Sequence, residues 1–160
     1  MRIIHVMTRL ANGGSEENTV ATARWQVRHG HTVTLLHGGA AHAQWHDLEA
    51  QGIQVIAVPE MIAPLAPRQD WRAAARVKQM FGALQPDVIH MHQSKAGILG
   101  RRAARGLGTT RVVHGIHVLN FDQVPRPHQT LYRAAERYAA RFTDAFIGVS
   151  AAMCDAYVAA

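Results

Sequence analysis

Six short apolar stretches succeed one another along this chain, each followed by a segment of helix-forming composition. They are Arg2–Met7, Thr32–Leu36, Ile53–Val58, Val88–Met91, Arg111–Ile116 and Ala145–Val149. Their length suits buried strands and is too short for helices that stand alone. Strand and helix alternating six times is the pattern of a parallel sheet whose crossovers are helices. The right-handed rule for such crossovers predicts an α/β, Rossmann-like, doubly wound parallel sheet with helices on both faces. Between the strands, Ser15 is expected to cap a helix running to about His29, ended by Gly30. Ala43–Gln51 reads as a short helix stopped by Gly52, and Asp70 as the cap of a helix to Leu84 that Pro86 terminates. Lys95–Arg105 and Pro127–Arg141 are expected as helices, and Ser150 as the cap of a last one. Glu60–Gln69 and Val118–Arg126 read as loops.

Ligands on such sheets bind beyond the carboxyl ends of the strands, near the reversal in strand order. That directs attention to residues 8–15, 37–42, 92–95, 117–126 and 150, which are rich in Gly, Ser, Lys and His. The most informative of these follows the fourth strand, in Asp87-Val88-Ile89-His90-Met91-His92-Gln93-Ser94-Lys95-Ala96-Gly97. Here Lys95 falls in the first turn of a helix, where the dipole is already positive and a cation is disfavoured by roughly 0.3–1 kcal/mol. The placement makes sense if an anion sits beside it. The other reading is a solvated surface lysine.

The loop Asn12-Gly13-Gly14-Ser15-Glu16 has two comparable readings. Two glycines before a helix N-terminus let a phosphate approach free N–H groups; equally, a turn could need glycine for positive φ. The loop matches neither the dinucleotide fingerprint nor the P-loop signature. His90 and His92 alternate along a strand and so share a face. With His114 and His117 they could be imagined around zinc, but no carboxylate or cysteine joins them at ligand spacing, and no metal is expected. A buried histidine with one or two substrate-facing ones at the strand tips fits better. Ser150 lacks the second glycine of a nucleophile elbow. Asp122 lies in a candidate loop but has no partner carboxylate that sequence can place.

Composition narrows the partners. The 160 residues suffice for one domain with a full core, and no apolar run approaches the ~20 residues of a membrane span. A single cysteine, Cys154, forms no internal disulfide, so a cytoplasmic location is expected. The formal charge of +6 points to anionic partners. A nucleic-acid binder is not expected, because the arginines are spread over several helices and aromatics make up only 6%.

Gly13-Gly14-Ser15-Glu16, the Asp87–Arg102 segment, Val112-Val113-His114-Gly115-Ile116-His117, Glu136–Asp144 and Ile147-Gly148-Val149-Ser150 occur in this order. Together they resemble the amino-terminal half of a bacterial family 4 (group 1) glycosyltransferase of the GT-B fold, over essentially the whole chain. The resemblance implies an acceptor-side domain for residues 1–160, facing a nucleotide-sugar-binding domain absent from this sequence. It implies retaining transfer from a nucleoside-diphosphate sugar to a glycan or lipid-linked acceptor, without a metal or other cofactor.

By the same resemblance, Gly13 and Gly14, with Ser15 and Glu16, approach the donor diphosphate. His92, Ser94 and Lys95 face the cleft, and His117 lies by the transferred sugar. Val118 departs from the family, which often has glycine there. The chain is expected to be inactive alone, to contact an anionic membrane peripherally at its cytoplasmic face, and to form a homodimer through surface the second domain would cover. The alternative is a freestanding Rossmann-like module that binds a phosphorylated metabolite.

Overall fold

As predicted, the six apolar runs assemble into one parallel sheet; across it they stand in the order third, second, first, fourth, fifth, sixth. A computed structural model describes residues 1–118 and 126–159. Its strands are β1 (Arg2–Met7), β2 (Thr32–His37), β3 (Ile53–Ala57), β4 (Val88–His92), β5 (Arg111–Ile116) and β6 (Ala145–Gly148). Its helices are α1 (Gly14–Arg28), α2 (Pro67–Leu84), α3 (Ser94–Ala103), α4 (Arg126–Ala140) and α5 (Ala151–Ala159). Expected residue Asp122 and the stretch 119–125 lie outside the described residues.

Alternation along the strands splits the core in two. Ile4, Val6, Leu36, Ile89, Met91 and Val112 pack against Val77 and Phe81 of α2 and Ala96 and Ala103 of α3. Met7, Val33, Leu35 and Ile53 pack against Val20 and Ala23 of α1, with Trp45 and Leu48. Both faces of the sheet are therefore covered, which is why its strands read as continuous apolar runs. Two aspartates tie the strand entrances together. Asp87 accepts from the Arg2 N–H (2.6 Å) and donates its own N–H to the Arg2 carbonyl (2.9 Å). Asp144 does the same with Val112, at 2.7 Å both ways.

Three helix boundaries differ from expectation. Ser15 does not cap α1: Gly13 holds the cap position in extended backbone, and the Ser15 hydroxyl, already inside the first turn, donates to Glu16 (2.6 Å). Helix α2 starts at Pro67, ahead of Asp70, because proline at the first position is pre-set for a helix. Asp70 instead reaches back to accept the Ala66 N–H (3.2 Å). Of Ala43–Gln51 only Ala43–Trp45 coils, as a 3-10 turn. So short a segment cannot sustain a helix alone, and the Trp45 indole donates to the Ala11 carbonyl (2.7 Å). Ser150 caps α5 as expected, accepting from the Met153 N–H (3.2 Å).

Candidate functional site

The strand order reverses between β1 and β4, so the loops after these strands diverge and leave a crevice at their carboxyl ends. A cleft of about 410 Å³ opens there, lined among others by Thr8, Ser15, Gln93, Ser94, Lys95, His117 and Val118. Thr8 follows β1 and caps α3 from outside, its hydroxyl accepting the Ala96 N–H (3.0 Å). Gln93 joins β4 to α3 with φ 62° and ψ 158°, a region costly for any residue with a Cβ. Its side chain explains how it stays there. Oε1 accepts the Thr8 N–H (3.0 Å), and Nε2 donates to Glu16 (2.9 Å) and Ser15 (3.3 Å). Gln93 thereby stitches the glycine loop to the β4–α3 turn. Sequence reasoning passed over it, because neither its backbone conformation nor its partners show in the residue type.

Gly13 and Gly14 do not have positive φ, so the turn itself does not demand glycine. A Cβ on Gly14 would meet nothing within 4 Å, which leaves its backbone open to a ligand, whereas one on Gly13 would lie 3.0 Å from the Glu16 carboxylate. Glu16 is buried, with its oxygens taken up by Ser15 and Gln93. Lys95 lines the cleft, and the anion beside it is a protein carboxylate: its ammonium lies 2.6 Å from Asp70 and also donates to the Pro64 carbonyl.

Behind His117 runs a file of imidazoles. Gln26 Oε1 meets His5 Nε2 (2.8 Å), His5 Nδ1 meets His92 Nε2 (2.9 Å), and His92 Nδ1 meets His117 Nε2 (3.0 Å). An amide oxygen only accepts, so His5 carries its proton on Nε2. His92 and His117 then also carry theirs on Nε2, and His117 keeps a lone pair on Nδ1. Burial holds these rings neutral. It pushes His5 down to about 4 and His90 down to about 3, and lowers His92 far below the ordinary imidazole value. His117, half-buried, is also lowered by desolvation, while the Glu16 carboxylate pulls it upward. His92 is thus the support behind His117 and is itself buried.

His90 and His92 share a face as predicted, their ring centroids 4.1 Å apart. His114 is on the other face, against α3, Phe146 and Tyr157, so the four imidazoles set apart by sequence are not one cluster. Among the described residues His5, His90 and His92 bring one ligand atom each within 4.8 Å of one another. The nitrogens of His5 and His92 are engaged with each other. Gly115 makes room for the file: a Cβ there would lie 3.1 Å from a nitrogen of each of His90, His92 and His117. On the far side of the cleft, fully buried Arg101 donates to Glu136, which also accepts the Tyr157 hydroxyl (2.6 Å). This knot ties α3, α4 and α5 together and was not foreseen from sequence.

A neutral imidazole with an open acceptor nitrogen, beside backbone that a ligand can approach closely, can bind a hydroxylated or phosphorylated molecule. The chain is 31% identical over 96 residues to a UDP-Gal:alpha-D-GlcNAc-diphosphoundecaprenol alpha-1,3-galactosyltransferase of Escherichia coli, an overlap of 59% of this chain and 25% of that protein. Its fold matches Anabaena HepE, solved in complex with UDP, with a TM-score of 0.71 at 21% identity, covering 99% of this chain and 40% of HepE. It also matches sucrose-phosphate synthase of Thermosynechococcus elongatus, with a TM-score of 0.68 at 13% identity, covering 99% of this chain and 45% of that one. The chain therefore spans less than half the length of each of these proteins and has the fold of one half of a GT-B enzyme. Residues 13–160 match the Glycosyl transferase 4-like domain, and the chain belongs to that family.

Proposed function

We propose that this chain is the acceptor-side half of a retaining glycosyltransferase that moves a sugar from a nucleoside-diphosphate sugar to a lipid-linked glycan. The observation that carries this reading is the placement of His117, held from behind by His92, on the wall of the switch-point cleft that Ser15, Ser94 and Lys95 also line. The related E. coli protein acts, by its name, on a UDP-sugar and a diphosphoundecaprenol-linked sugar. A donor-binding domain would face this cleft. The Gly13–Gly14 backbone and the α3 N-terminus at Ser94 would then approach the donor diphosphate and stabilise it as it leaves. Lys95 would reach it only by giving up part of its pairing with Asp70. The leaving phosphate accepts the proton of the attacking hydroxyl, and His117 orients the transferred sugar.

Joining the chain to a donor-binding domain of the same family and supplying UDP-sugars with a polyprenyl-diphosphate-linked acceptor tests this. The expected result is a product whose anomeric configuration by NMR matches the donor, with kcat falling about 100-fold or more in His117→Ala. The separate chain should transfer nothing. No transfer from any UDP-sugar by the joined protein, or inversion in the product, overturns the reading. Tight binding of a phosphorylated metabolite by the separate chain, with no transfer after joining, would assign it instead as a freestanding binding module.

A further inference from the structure

The fold regroups the histidines that sequence singles out. It turns His114 to the other face of the sheet and brings in His5, which stands beside His90 in the register of β1 on β4. His5, His90 and His92 each offer one ring nitrogen within 4.8 Å of the other two. All three project from two adjacent strands at the middle of the sheet, so the packed core fixes their spacing.

This cluster is not a set of satisfied core histidines. His90 Nε2 is buried and has no hydrogen-bond partner among the described residues, where most buried polar atoms have one. Gly115 on β5 keeps the space beside that nitrogen clear, since a Cβ there would lie 3.1 Å from it. His5 Nδ1 and His92 Nε2 face each other at 2.9 Å. That is close to the about 3.3 Å that separates two imidazole nitrogens on one tetrahedral zinc. Behind them, the Gln26 oxygen accepts from His5 Nε2 (2.8 Å), the kind of outer contact that orients a ligating imidazole. Burial holds the three rings neutral, which is the form that binds metal.

We propose that His5 Nδ1, His90 Nε2 and His92 Nε2 bind one divalent transition-metal ion of the zinc class. Ligation by imidazole suits zinc, nickel and copper, whereas magnesium and calcium seek oxygen. A water completes the tetrahedron. The ion takes the place of the proton that His92 Nε2 donates to His5 Nδ1, and each ring still keeps one proton. His92 then carries its proton on Nδ1 and donates to His117 Nε2, and the proton of His117 passes to its own Nδ1. A metal ion held behind the cleft thereby turns that nitrogen of His117 from an acceptor into a donor.

The full chain is titrated with Co²⁺ and then with Zn²⁺. Neither donor nor acceptor is present, so the outcome does not rest on the sugar-transfer reading. One cobalt ion per chain should bind, with the visible absorption of a four-coordinate site, and zinc should bleach it. Gln26→Leu should weaken binding by about 10–100-fold, the range for an outer contact, and His90→Gln, which removes a ligand, by more. His46→Gln, at an exposed position, should bind as the parent does. In nitrogen NMR of the parent, zinc should shift His90 Nε2 and move the His117 proton to Nδ1; this reading needs no substitution. Failure to take up one ion per chain, unchanged affinity in His90→Gln, or zinc shifts confined to exposed histidines such as His46 overturns the proposal.

Discussion

The imidazoles of His92 and His117 share a hydrogen bond of 3.0 Å, and His92 in turn leans on His5 at 2.9 Å. A site residue at the cleft mouth is thereby oriented by two side chains buried beneath it, one of them 112 positions earlier in the chain. Orientation through buried neighbours fixes which nitrogen faces the ligand.

Acid should unfold this protein through that file. A histidine lowered in the folded state binds fewer protons than the unfolded chain does, so stability is fully present above the unfolded value near 6.5 and is lost as pH falls. With His5 lowered to about 4 and His90 to about 3, the loss should run from about pH 6.5 down through pH 4. Urea midpoints measured across that range should fall steeply with acid, and His5→Gln should flatten the dependence. A flat profile would mean that the rings are not buried neutral.

Gln93 reverses the usual ranking of alanine and glycine. Gln93→Ala loses the bonds to Thr8 and Glu16 and keeps a Cβ at φ 62°; Gln93→Gly loses the same bonds but sheds the backbone cost. Strain of this kind is about 1–3 kcal/mol, so the glycine variant should be the more stable of the two by about that amount. Thermal melts of the pair decide it.

Lys95 and Asp70 should behave as one unit. Both side chains are mostly buried, at 13% and 16% exposure, and each neutralises the other. Lys95→Met and Asp70→Asn should each destabilise by about 1–3 kcal/mol, and the double variant by clearly less than their sum. Additive losses in a chemical-denaturation cycle would mean that the two charges do not interact.

The Arg101–Glu136–Tyr157 knot should be unequal in its parts. Glu136→Gln leaves a fully buried guanidinium without its counter-charge and should cost about 3–5 kcal/mol. Tyr157→Phe removes one hydrogen bond to an oxygen that Arg101 still satisfies, and should cost about 0.5–1.5 kcal/mol. Denaturant unfolding of both variants gives the ratio.

The architecture was legible because it is written in local pattern. Six apolar runs separated by helical segments leave few chain paths once crossovers must be right-handed, and the sheet has the expected strands in a switch-point order. The same reasoning pointed to the loops that carry Ser15, Ser94 and His117 to one cleft. Ser150 was readable as a cap for the same reason, since its partner Met153 is three residues away.

What the sequence by itself determined, then, lies in residues a few positions apart: the strand–helix periodicity, the breakers, the Ser150 cap, and the side of a strand on which His90 and His92 fall. Only the tertiary structure decided that His5 supports His92, that Asp70 is the anion beside Lys95, and that Gln93 is held by Thr8 and Glu16. Each of these pairs a β-strand or helix with a neighbour that is distant along the chain. Such pairings depend on strand order and register, which arise from packing the whole core at once and leave no mark in local spacing.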